Sequence, residues 1–160
     1  MEQDAPDREL STSRVVSATP REVLAAFSDP DRLARWWGPM GFTNHFEEFD
    51  FRPGGKWRFV MHAPKGGSFR NESEFVEVGP ERVVLEHRSP PVYRLEIPLE
   101  EIAGGTRVGW RMVFESAFER DRVATYAVDA NEQNLNRLEA ELARVRVLPT
   151  ARRDDRLEPA

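Results

Sequence analysis

Residues 33–44 read LARWWGPMGFTN, and this stretch marks where one kind of structure gives way to another. Trp36 and Trp37 are adjacent, so they cannot share one face of a strand and they sit poorly on one stripe of a helix. Gly38 breaks a helix and Pro39 restricts the residue before it, so the pair marks the end of a short helix. At that terminus the two indoles can diverge, one closing the mouth of a cavity and the other packing beneath the strands that follow. Trp37 is the candidate for the ligand wall.

Upstream of this point the pattern is helical. Asp29-Pro30 opens the short helix, and before it Thr19-Pro20-Arg21-Glu22 supplies a helix start. Thr19 is the N-cap there, Pro20 stands at the first helical position, and Glu22 falls three residues past the cap. Residues 11–17 (STSRVVS) read as a short strand. Downstream of residue 43 the period becomes alternating. Segments 44–51, 56–62, 69–78, 82–88, 92–100 and 106–114 read as strands separated by the turn signals PGG, PKGG, GPE, SPP and AGG. Trp57, Phe59 and Met61 share one face of their strand, as do Tyr93, Leu95, Ile97 and Leu99, and again Val108, Trp110, Met112 and Phe114. Consecutive strands joined by short turns make an antiparallel meander with one buried face. From about 121 to 146, Val123, Ala127, Ala130, Asn134, Leu138, Leu142 and Val145 recur at threes and fours, the stripe of an amphipathic helix. Asp129, Glu132, Arg137, Glu139 and Arg144 fall on its opposite face.

The expected fold is therefore α+β: a curved antiparallel sheet of about six or seven strands wrapped around a long C-terminal helix, with two short helices after the first strand. Residues 11–146 form the single expected domain, with flexible tails over 1–10 and 147–160. The totals agree with one globular domain: 160 residues, 39% hydrophobic and 32% charged. A net charge of −5 with no basic stripe argues against nucleic-acid binding. The mean hydropathy is −0.61, and no apolar run approaches the roughly 20 residues a membrane helix needs, so no membrane insertion is expected. The acidic start MEQDAPDREL lacks the basic and apolar regions of a signal peptide, and there is no cysteine, so a cytoplasmic location is expected.

The motifs sharpen the reading. DPDRLARWWGP (29–39), FDFRPGGKWRFVMH (49–62) and NLNRLEAELA (134–143) resemble, in this order, motifs of the SRPBCC proteins of the START-like, helix-grip superfamily. The branch they resemble is the one related to the C-terminal domain of the activator of Hsp90 ATPase. The resemblance spans roughly residues 11–146 and implies the helix-grip fold, with a cavity between the concave sheet face and the long helix. Many relatives place Gly-Trp in the middle of that helix. Here the pair is Asn134-Leu135, which puts an amide toward the interior.

On that expectation the ligand-binding candidates are Trp37, Trp57, Phe59, Met61, Glu72, His87, Trp110, Met112, Phe114, Asn131, Asn134 and Leu138. An apolar cleft with a few converging polar groups is where small ligands bind, although each apolar side chain among these is also an ordinary core residue by type. His87 shares a face with Val83 and Leu85. Glu72 and Glu74 share one with Val76 and Val78, the expected core side of their strand unless a bulge turns it. Glu72 and His87 are the only catalytic candidates. The three histidines lie on separate strands without metal-site spacing, and no nucleotide loop or serine elbow occurs, so neither metal nor cofactor is expected. The functional expectation is a binder of a small hydrophobic or amphipathic molecule, as monomer or homodimer. The alternatives are an enzyme of cyclase or hydrolase type acting on such a molecule, and an Hsp90-type co-chaperone module.

Overall fold

A computed structural model describes the backbone of residues 6–157 and the side chains of residues 6–145. The elements follow the expected order: β1 (Glu9–Val16), α1 (Pro20–Ser28), α2 (Pro30–Trp36), β2 (Thr43–Phe49), β3 (Lys56–His62), β4 (Ser68–Val78), β5 (Arg82–His87), β6 (Tyr93–Ile102), β7 (Gly105–Val113) and α3 (Ala117–Leu157). β1 begins two residues earlier than expected, because Glu9 and Leu10 pair with Val113 and Met112 of β7. A 3-10 turn over Pro6–Arg8 precedes it, and α3 runs past residue 146. Within the expected tails, residues 1–5 and 158–160 lie outside the described residues.

Local chemistry explains the helices. Thr19 Oγ1 accepts from Glu22 N at 3.1 Å while Glu22 Oε1 accepts from Thr19 N at 2.8 Å, the reciprocal cap expected from TPRE. Asp29 caps α2 by accepting from the backbone of Asp31 and Arg32. Gly38, at φ +97°, then turns the chain out of α2; a side chain there would be strained and would meet Met61.

The seven strands form one antiparallel sheet in the order β1-β7-β6-β5-β4-β3-β2. Two register shifts interrupt the ladders, between Phe46 and Glu48 and between Phe75 and Glu77. Each leaves one extra residue on a strand and bends it, which helps the sheet curl around α3. The concave face is apolar and the convex face ionic. On the convex side an alternating chain of charges, Glu9–Arg111–Glu96–Arg94–Glu86–Arg88–Glu74–Lys56, links side chains from six strands and the turn after β5, with N–O distances from 2.6 to 3.5 Å. The helix α3 covers the concave side through Val123, Ala127, Leu135, Leu138 and Leu142, all in the core.

The second shift corrects one expectation. Val76 is the extra residue of β4, so counting back from Val78 gives the wrong face for everything before it. Asn71, Ser73 and Phe75 share the concave side, with Ser73 and Phe75 buried, whereas Glu72 is exposed and Glu74 joins the convex charge chain. Glu72 is therefore not an interior carboxylate.

Candidate functional site

The tryptophan question resolves first. Trp36 turns back onto α1, edge-on to Phe27 at 5.0 Å, and donates Nε1–H to Ala26 O at 3.0 Å. Trp37 turns the other way, into the space between sheet and α3, where its ring lies 5.0 Å from Trp57 and 5.5 Å from Trp110. Phe59 stacks on Trp57 at 4.4 Å and Phe75 stacks on it at 5.7 Å. Four of the expected lining residues thus assemble as one aromatic cluster whose neighbours are protein rings. All four are buried, and such ring pairs contribute about 0.5–1.5 kcal/mol each beyond their buried area.

Arg137 locks this end. It was expected on the solvent side of the helix; instead its guanidinium is half-buried and donates to the carbonyls of Arg35, Trp37, Gly38, Pro39 and Phe42 at 2.5–3.1 Å. These oxygens include ones that the end of α2 leaves free, so the cation sits at the negative pole of that helix. Burial lowers the Arg137 pKa. Asn134 also serves this turn, donating Nδ2–H to Trp36 O at 2.8 Å, so its amide is used on protein backbone. One turn further, the buried Glu141 accepts from Arg32, Arg35 and Arg144 at 2.9–3.2 Å. Those guanidiniums outweigh burial and hold its carboxyl down at about 2. Leu138 is fully buried between these contacts, and Met61 lies half-buried beside Gly38. A single polar atom of the cluster is left over: Trp57 Nε1 is buried and finds no acceptor among the described residues.

The row that leads away from Trp57 across β4, β5 and β6 is built differently. Cross-strand register sets Trp57, Ser73, His87 and Tyr93 opposite one another on β3, β4, β5 and β6. His87 stacks on Tyr93 at 4.7 Å, and Tyr93 meets Phe114 at 5.7 Å, which extends the row to the start of α3. Burial in this row pushes the Tyr93 phenol up, with a smaller contribution from Tyr126 of α3. Alongside the row, Asn131 of α3 donates Nδ2–H to Met112 Sδ at 3.4 Å. Of the expected lining residues, His87 and Phe114 thus share this row with Tyr93, Ser73 and Asn71, while Met112 and Asn131 pair with each other beside it.

His87 has both ring nitrogens engaged. Nδ1 lies 2.7 Å from Pro91 O and Nε2 lies 2.7 Å from Asn71 Oδ1, while the Asn71 amide donates to Phe69 O. A neutral ring has one N–H and serves one of the two oxygens; a second proton would serve both. Burial pushes the His87 pKa down and outweighs the Pro91 carbonyl, which pulls it up. Neither nitrogen is left facing a guest.

Where this row leaves the sheet there is a pocket of about 350 Å³. Tyr93, Phe114, Val92, Val113 and His87 give it apolar and aromatic walls, and Arg8, Arg88, Arg94, Glu86 and Glu115 surround them. Glu72 contributes nothing to it. Among the described residues no group of three His, Cys, Asp or Glu side chains could hold a metal ion, and no helix is long and apolar enough to cross a membrane.

A curved seven-stranded antiparallel sheet gripping a long C-terminal helix, with two short helices after the first strand, defines the helix-grip fold of the SRPBCC class. Residues 17–143 match the family described as Activator of Hsp90 ATPase homolog 1-like protein, and the chain belongs to that family. Solved structures agree at the level of fold. A protein from Nitrosomonas europaea is 22% identical, covers 88% of this chain and 97% of its own, and superposes with a TM-score of 0.79. One from Arthrobacter aurescens is 24% identical over 88% and 89%, with a TM-score of 0.80. A Chromobacterium violaceum protein is 26% identical over 82% and 95%, with a TM-score of 0.72. No curated protein matches the chain at significant similarity.

Proposed function

We propose that this protein binds a small amphipathic molecule in the pocket at the sheet margin, where Val92, Tyr93, Phe114 and Arg8 meet. The observation that carries the reading is the pocket of about 350 Å³, whose aromatic walls continue the cross-strand row out of the core. A volume of that size lies in the range of small-molecule sites, and a few polar groups beside aromatic walls is their usual composition. The tryptophan end offers less, because its rings pack on one another and its carbonyls are taken by Arg137 and Asn134.

Binding without chemistry is favoured over catalysis by the two catalytic candidates themselves. Both His87 nitrogens face protein oxygens at 2.7 Å, so the ring positions the loop at Pro91 rather than taking a substrate proton. Glu72 is exposed on the other side of the sheet.

The test is NMR titration of the labelled protein with a panel of small aromatic and fatty-acid ligands, read at the His87, Tyr93 and Phe114 signals, with tryptophan fluorescence in parallel. Saturable shifts at those three residues, unchanged in Asn134→Trp, support the site. A guest that instead quenches the tryptophans and is lost in Asn134→Trp would move the site to the closed end. Stimulation of an Hsp90 ATPase by the purified protein, with no ligand response, would replace the binding reading by the co-chaperone one.

A further inference from the structure

We infer that the molecule taken by this pocket is an anion: a small aromatic or short-chain carboxylate whose apolar body lies on Val92, Tyr93 and Phe114 and whose head meets Arg8. The inference rests on the binding reading above and adds the ligand's charge.

Three guanidiniums surround the pocket, and their partners differ. Arg88 and Arg94 share one carboxylate, Glu86, at 2.9 and 3.2 Å, and each reaches a further glutamate, Glu74 and Glu96. Both belong to the convex charge chain and are spoken for. Arg8 is different. Its Nη1 donates to Phe114 O at 3.1 Å and to Glu115 O at 3.5 Å, and among the described residues it meets no carboxylate. Two carbonyls hold the guanidinium in place without cancelling its charge, and its planar fork has further N–H groups suited to a carboxylate. The acidic groups of the lining are Glu86, already shared by two arginines, and Glu115, whose residue is exposed at the rim.

The apolar side of the pocket completes the match. Val92 is 45% exposed at the turn between β5 and β6 and lines the pocket together with Tyr93 and the buried Phe114. A neutral apolar guest would use those walls and ignore the guanidinium. An anion with a flat or short apolar body uses both, and gains a charge-assisted contact with the guanidinium.

The experiment compares 2-naphthoate with 2-naphthamide, which have nearly the same shape and differ in charge, using calorimetry and the NMR signals of His87, Tyr93 and Phe114. Naphthoate is expected to bind about tenfold more tightly or better, the scale of one charge-assisted hydrogen bond. In Arg8→Gln that advantage should vanish while naphthamide is unaffected. Because Arg8 also braces the start of α3, a second pair of variants keeps the test independent of folding. Val92→Lys should tighten naphthoate and Val92→Glu should weaken it, whereas naphthamide should respond alike to both. Equal affinities for the two probes, with shifts at the pocket signals, would overturn the anion assignment and leave the binding reading intact. No shift from either probe would overturn both. A naphthoate preference indifferent to residues 8 and 92 would place the anion elsewhere and overturn the assignment to this pocket.

Discussion

The two ends of the layer between sheet and helix are made from the same alternating strands, yet one is closed and the other opens into a pocket. At the closed end, Trp37, Trp57 and Trp110 pack ring against ring, and Arg137 and Asn134 satisfy the turn that carries Trp36 and Trp37. At the open end His87, Tyr93 and Phe114 form a single row that ends at the sheet margin, where Arg8 of the 3-10 turn Pro6–Arg8 lines the pocket instead of a two-helix layer. Alternation makes an apolar face; whether that face is sealed or opens at its margin depends on what covers it.

The largest expected effect breaks the closed end. Arg137→Met removes a cation bonded to five carbonyls and should cost about 3 kcal/mol, since hydrogen bonds to a charged group are the strong ones and the freed oxygens stay partly buried. Urea denaturation checks this; a loss below about 1 kcal/mol would mean that water replaces the guanidinium freely.

Acid should act on the same end to a comparable extent. Glu141 titrates at about 2 in the folded protein, below its unfolded value of about 4.3. The stabilisation is therefore fully present above the unfolded value and is lost as pH falls toward 2. It amounts to at most about 3 kcal/mol, and Glu141→Gln should flatten the acid limb of a stability–pH curve.

A smaller loss is expected from Asn134→Leu, roughly 1–2 kcal/mol, because Trp36 O loses its partner at 2.8 Å. Ligand response at the His87 end should be untouched, which makes this variant the control that separates the two ends.

His87→Gln should change stability least, by about 1 kcal/mol or less, and should still loosen the turn held through Pro91. Its signature is the pH dependence. Burial lowers the His87 pKa, so the unfolded chain binds a proton first. Stability attributable to this group is thus present above about 6.5 and declines as pH falls below it. The variant should lose that slope, as read from unfolding midpoints between neutral and mildly acid pH.

Much of the architecture was legible in the residues. The cap at Thr19, the break at Gly38 and the alternation of Trp57, Phe59 and Met61 depend on neighbours in sequence, and each stands in the structure. Parity counted from Val78 crosses the bulge at Val76 and so assigns Glu72 to the wrong face. Parity counted from Phe69 and Phe75, the two phenylalanines of β4, turns Asn71 and Ser73 inward. Tyr93 was visible in its alternating row, but nothing local said that His87 would stack on it.

The sequence by itself determined the order of elements, the buried faces of β3, β5, β6 and β7 and the family, because periodicity, caps and turn residues act over a few positions. Only the tertiary structure decided what those faces became. Arg137 reaches carbonyls about a hundred residues away, Glu141 gathers arginines from both α2 and α3, and Arg8 meets Phe114 across the sheet's end. A charge's partners, and so whether it braces the fold or awaits a ligand, are set by the packing of distant segments, which no local pattern records.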